Sequence, residues 1–134
     1  MDQLSRAQAL YLEESFDEAA VVFSDYLKGH IDILGLSGRA ACYLKLKRYT
    51  LALQDLNHAI QLGSLKYIDH YRKGVCLFEL EEYEAANEAF EQALRLRREE
   101  APDADVSQVE RYLRKCRSEF EGKFYKSFSL LSKV

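Results

Sequence analysis

Proline occurs once and glycine six times in this 134-residue chain, and tryptophan is absent. So few breakers exclude a collagenous or low-complexity protein, and 48% hydrophobic beside 31% charged residues is the profile of a helix-rich globular chain. No apolar run approaches the roughly 18 residues that span a bilayer. The amino-terminal stretch carries Asp2 and Arg6, without an extended apolar segment or a small-residue cleavage site, so neither signal peptide nor anchor is read there. An excess of basic charge is also missing. Lys and Arg number 19 against 22 Asp and Glu, the net charge is -3, and the longest basic cluster is Lys45, Lys47 and Arg48. Neutralising several phosphates needs a segregated basic face, so nucleic acid is not an expected partner.

What the chain does have is self-similarity. Phe16-Asp17-Glu18-Ala19 is followed by Phe23 and Tyr26-Leu27; Tyr49-Thr50-Leu51-Ala52 by Leu56 and Ala59-Ile60; Tyr83-Glu84-Ala85-Ala86 by Phe90 and Ala93-Leu94. Upstream of each aromatic lies another helical stretch, 4–12, 34–46 and 67–80, with small residues Ala7, Ala40 and Gly74 in register and Leu10, Tyr43 and Leu77 three positions on. Each unit therefore reads as helix, turn, helix. Glu13-Glu14-Ser15, Lys47-Arg48 and Glu81-Glu82 form turns short enough to force antiparallel neighbours. Between units, Gly29 and Gly63 are placed for left-handed helix ends, and Asp32 and Ser64 for amino-terminal caps.

The expected organisation is one domain over residues 1–122, with repeats at about 3–31, 32–64 and 65–98, and a tail or linker at 123–134. Pro102 ends the third unit. A capping helix over about 105–122 follows, with Val106, Val109, Leu113, Cys116 and Phe120 on one stripe, because the last unit of a stack needs a cover with a polar outer side.

This pattern resembles the tetratricopeptide family: a small residue, an aromatic, then alanine and a bulky residue, over a period of about 34. The resemblance covers about residues 3–98. It lacks the tryptophan often found in the first helix, and Ser64 and Arg98 stand where a closing proline is usual. It implies an all-α fold, a right-handed α-solenoid of three TPR helical hairpins plus the C-terminal capping helix. It also implies a non-catalytic protein-protein interaction module.

Nothing in the sequence argues for catalysis. Cys42 and Cys76 take the same repeat position on successive first helices, whose axes lie about 8–10 Å apart, and read as buried small hydrophobes. Three single cysteines suit a reducing compartment. His30, His58 and His70 show no HxxxH spacing and are expected on loops and helix surfaces. No phosphate loop, serine elbow or HExxH string occurs, so no catalytic residue, metal or cofactor is assigned. A soluble protein of the cytoplasm, or also the nucleus, is expected.

The informative surface is the groove lined by the first helix of each unit. There the sequence singles out Gln8, Tyr11, Tyr71, Arg72, Val75 and Phe78 as the partner-binding set. Many tetratricopeptide modules grip the acidic tail of a heat-shock chaperone with lysines, asparagines and an arginine. By resemblance those five positions are Leu4, Gln8, Gly38, Ile68 and Arg72, of which only Arg72 matches by type and Gln8 weakly. The carboxylate clamp is therefore read as absent, and the groove as suited to a helix or an extended apolar segment of a protein or peptide ligand.

The run Tyr71-Arg72-Lys73-Gly74-Val75-Cys76-Leu77-Phe78-Glu79-Leu80-Glu81-Glu82-Tyr83, with Leu113-Arg114-Lys115-Cys116 later, is similar to the third repeat and capping helix of the Sgt-type co-chaperones, the suppressors of Skp mutations. That likeness implies a co-chaperone and ubiquitin-ligase adaptor array that docks Skp-type components or chaperone clients, or pairs as a homodimer. The alternative is a regulatory or substrate-docking array of a larger enzyme.

Overall fold

A computed structural model describes the backbone of residues 2–132 and the side chains of residues 2–122. The seven helices of the described residues follow the doubled pattern: α1 (Gln3–Leu12) with α2 (Phe16–Gly29), α3 (Ile33–Lys45) with α4 (Tyr49–Gln61), and α5 (Tyr67–Glu79) with α6 (Tyr83–Glu100). Last comes α7 (Ser107–Ser132), so the capping helix starts two residues later than the sequence suggests and continues beyond 122. Its start is set by Asp105, whose carboxylate accepts the Ser107 N–H at 2.9 Å. The apolar tail and the homodimer contact expected from it involve side chains outside those described.

Each helix packs on the next in the chain, while α1 also meets α3 and α3 meets α5, which sets the three first helices side by side as one wall. Alanines make this possible. Ala7, Ala19, Ala40, Ala52, Ala59, Ala86 and Ala93 are all completely buried, so helices meet with almost no side chain between them.

The three hairpin turns share one geometry. Ser15, Arg48 and Glu82 donate their N–H groups to the carbonyls of Leu10, Tyr43 and Leu77 at 2.8–2.9 Å, and Glu14, Lys47 and Glu81 take left-handed φ values of 63°, 59° and 63°. This closure satisfies helix-end carbonyls that would otherwise be orphaned, and the gain outweighs the roughly 1–2 kcal/mol that a side chain costs in that conformation. Gly63 (φ 103°) ends α4 the same way, with Ser64 N–H donating to Ala59. Gly29, expected to do likewise, stays inside α2 without a positive φ.

Of the two caps expected between units, Asp32 accepts the Gly35 N–H at 2.8 Å. Ser64 does not cap, because α5 begins only at Tyr67 and the Ser64 hydroxyl donates to Asp69 instead. His70 is a second correction: it is buried, with Nε2 3.2 Å from the Ser64 carbonyl. Phe120, read as part of the buried stripe of the cap, is half exposed, while Tyr112, one position before Leu113, stacks on the buried Phe90 at 4.8 Å.

All three cysteines are buried and free. Burial pushes the Cys42 thiol up to about 11 and the Cys76 thiol to about 12, and the Tyr71 phenol up to about 12. The fold thus holds protons that an unfolded chain releases above the ordinary values of 9.0 for thiols and 10.0 for phenols. The stability this confers is whole below those ordinary values and is lost as the pH climbs towards and through 12. Urea midpoints measured at about pH 8 and about pH 10.5 should fall at the higher value; equal midpoints would show that these groups are solvated in the folded chain.

Candidate functional site

The wall formed by α1, α3 and α5 encloses a groove of about 430 Å³. Its floor exists because Gly38 has no side chain: a Cβ there would lie 2.3 Å from Phe23 Cε1, so the ring of Phe23, reaching through from α2, fills the space beneath α3. Ala41, one turn on, keeps the floor shallow. Tyr11 and Leu12 form one rim and Leu34 another, with Leu12 81% and Leu34 48% exposed. The far wall is a stripe of α5 and its cap: Lys66, Asp69 and Arg72, spaced by three residues and therefore on one face, with Ile68 beside them.

Of the six residues expected to bind a partner, the structure brings three together here. Gln8, Tyr11 and Arg72 all line the groove. Tyr71, Val75 and Phe78 do not. They pack against the cluster of Leu77, Phe90, Val109 and Cys116, where α7 covers the third unit. Tyr71 meets Phe90 and Tyr112 edge-on at 5.8 and 5.9 Å, and Phe78 meets Tyr83 and Tyr112 at 5.3 and 5.5 Å.

Register explains the difference. Tyr11 and Phe78 occupy equivalent positions, each pinning the aromatic that opens the next helix, as the Tyr11–Phe16 contact at 5.4 Å shows. In the first unit the other side of that ring faces the groove; in the third it faces α7.

The sequence reading missed Leu12, Phe23, Leu34, Lys66 and Asp69 as lining residues. A usable signal existed for Asp69: it stands at the register of Gly35 in the preceding unit, a buried position, so its carboxylate has to find partners inside. It finds two. Ser37 Oγ donates to Asp69 Oδ2 at 2.9 Å and Ser64 Oγ to the same oxygen at 2.6 Å, joining α3, α5 and the loop between units. Asp69 is fully buried, and its Oδ1 has no hydrogen-bond partner.

Four of the five positions at which a chaperone-tail clamp is expected, those of Gln8, Gly38, Ile68 and Arg72, do line this groove. Two of them, Gly38 and Ile68, have no side-chain donor, and Leu4 of the fifth packs into the core cluster of Ala7 and Phe23. The position is that of a tail-binding site, but its chemistry is apolar with an alternating charged wall. Among the described residues no group of three or more His, Cys, Asp or Glu could hold a metal ion, and no helix is long and apolar enough to cross a membrane.

Residues 68–100 match the tetratricopeptide repeat family. Over 91 residues, 67% of its length, the chain is 33% identical to the SGT1 homolog of Oryza sativa subsp. japonica, of which it spans about a quarter (25%). The Sgt2 TPR domain from Aspergillus fumigatus superposes with a TM-score of 0.77 at 21% identity, covering 92% of this chain and 80% of that one. The first TPR of Spaghetti (RPAP3), bound to the HSP90 peptide SRMEEVD, superposes with a TM-score of 0.78 at 22% identity, covering 89% and 90%. By its stacked hairpins, its matched repeat and these likenesses together, the chain is a tetratricopeptide-repeat domain resembling those of the Sgt-type co-chaperones.

Proposed function

We propose that the groove between α1, α3 and α5 holds a segment of another protein, and that the domain works as a non-catalytic adaptor of co-chaperone type. The observation that supports this is the groove itself: exposed Leu12 and Leu34 beside Tyr11 over an apolar floor, opposite a wall of polar side chains, at the place where the likened arrays take peptides. Apolar anchors with a few placed polar groups are what peptide recognition requires. The finer reading, in which the segment comes from a Skp-type ubiquitin-ligase component, draws support from the likeness to the rice SGT1 homolog.

The clampless chemistry yields a direct test. Titration of the whole chain with SRMEEVD, the peptide bound by Spaghetti, should give a Kd no tighter than about 1 mM, because a free carboxylate meets no converging set of donors. Micromolar binding that disappears in Arg72→Ala would replace this reading with that of an acidic-tail receptor.

A further inference from the structure

The half-used carboxylate of Asp69 says more about the occupant of the groove. Both serine hydroxyls converge on Oδ2, and Oδ1 is buried without a donor. Leaving a buried acceptor of this kind unmatched costs about 1–3 kcal/mol, and more for a charged group, so such atoms persist where something else uses them. Lys66 and Arg72 stand three residues to either side on the same wall, yet among the described residues Asp69 forms no ion pair.

We propose that Asp69 is the polar specificity residue of the groove, and that the occupant is an internal, extended peptide segment whose main-chain N–H donates to Oδ1 while an apolar side chain sits over Gly38 and Ala41. This rests on the groove being the docking site. Charge decides among the possible donors. A lysine or arginine side chain approaching Oδ1 passes between Lys66 and Arg72 and is repelled by both. A free carboxyl terminus meets the buried Asp69 carboxylate and, at the remaining positions, Leu4, Gly38 and Ile68. An uncharged amide avoids both conflicts, and its neighbouring carbonyls are acceptors for Arg72, Lys66 and Gln8. The alternation of donor, acceptor and donor along Lys66, Asp69 and Arg72 complements the edge of an extended chain, where N–H and C=O groups alternate.

The probe is a library of nine-residue peptides, acetylated at one end and amidated at the other, screened on the whole chain; the tightest peptide is then remade with each amide N-methylated in turn. One N-methyl group should weaken binding at least tenfold on the natural protein and have little effect on Asp69→Leu, a swap of similar shape. Asp69→Asn, which keeps a carbonyl oxygen and stays compatible with both serines, should retain binding within about threefold, as expected for a neutral donor. A loss of tenfold or more in Asp69→Asn would point to a cationic side chain and overturn the proposal. So would N-methyl effects that are the same in Asp69→Leu as in the natural chain. Gln8→Trp, at an exposed position on the rim, fills the groove and separates the two levels. Binding lost in Gln8→Trp but indifferent to Asp69 leaves the groove standing and removes the role of Asp69, whereas binding untouched by Gln8→Trp, or no peptide bound at all, removes both.

Discussion

Phe90→Ala is expected to lower unfolding stability by about 3–5 kcal/mol, read as a drop in the urea midpoint and a fall in Tm of about 10–20 °C. The ring is completely buried and holds three helices at once. From α6 it stacks on Tyr112 of α7 at 4.8 Å and meets Tyr71 of α5 edge-on at 5.8 Å. Its edge also lies where a Cβ on Gly74 would sit, 2.6 Å from Cε1, so the glycine in α5 and the ring in α6 are matched in shape. Deleting the ring leaves a cavity that glycine cannot help fill, and it loosens α7, whose only extensive packing among the described elements is on α6. Since a repeat array is held by contacts between neighbours, the change should also split unfolding into two steps, the third unit and cap melting first. A single sharp transition shifted by less than about 1 kcal/mol would show that the cap does not depend on this ring.

The same region shows what could be read from the sequence and what could not. The period of 33–34 residues located every hairpin, because buried alanines at fixed spacing leave few other ways for helices to meet. It also placed Gln8, Tyr11 and Arg72 on the inner wall. The period treats units as equivalent, however, and their surroundings are not. Positions 71, 75 and 78 are groove positions in the repeat, yet in the last unit α7 lies over them, and the aromatics there serve the cap. Tyr112 was hidden for a related reason: the stripe drawn through Val109, Leu113 and Cys116 runs beside it, and a tyrosine one position off such a stripe reads as boundary. The groove floor was invisible for a different reason. Phe23 belongs to a second helix and reaches the inner wall only because Gly38 lets it through, a fact about two residues in different elements that no single helical stripe records. The left-handed residues at the turns were equally unreadable, since Glu14, Lys47 and Glu81 carry none of the composition that usually marks that conformation.

Arg39 links the first unit to the second by charge, and Arg39→Met is expected to cost about 2–4 kcal/mol. Its guanidinium, on α3, donates through Nε to Asp55 Oδ2 at 2.8 Å and through Nη2 to Oδ1 at 2.7 Å, while Nη1 reaches Ser24 Oγ of α2 at 3.2 Å. The bidentate pairing raises the arginine pKa further above its usual value, so the pair stays ionised across any ordinary pH range. The Asp55 side chain is only 8% exposed and that of Arg39 24%. Removing the arginine therefore leaves a carboxylate with little access to water, the situation in which breaking a buried pair costs about 3–5 kcal/mol; the partial exposure of the arginine side admits some water and lowers the figure. Replacing both partners should behave quite differently. In Arg39→Met combined with Asp55→Leu no charge is stranded, the methionine can still lie against Tyr43 as the guanidinium does at 5.8 Å, and stability should return to within about 1 kcal/mol of the natural chain. Urea denaturation of the two single variants and the double gives the coupling energy directly. If the single changes simply add, the charges are solvated and the pair does not hold the units together; a coupling of about 2 kcal/mol or more would establish that its main effect is to prevent α3 and α4 from sliding past α2.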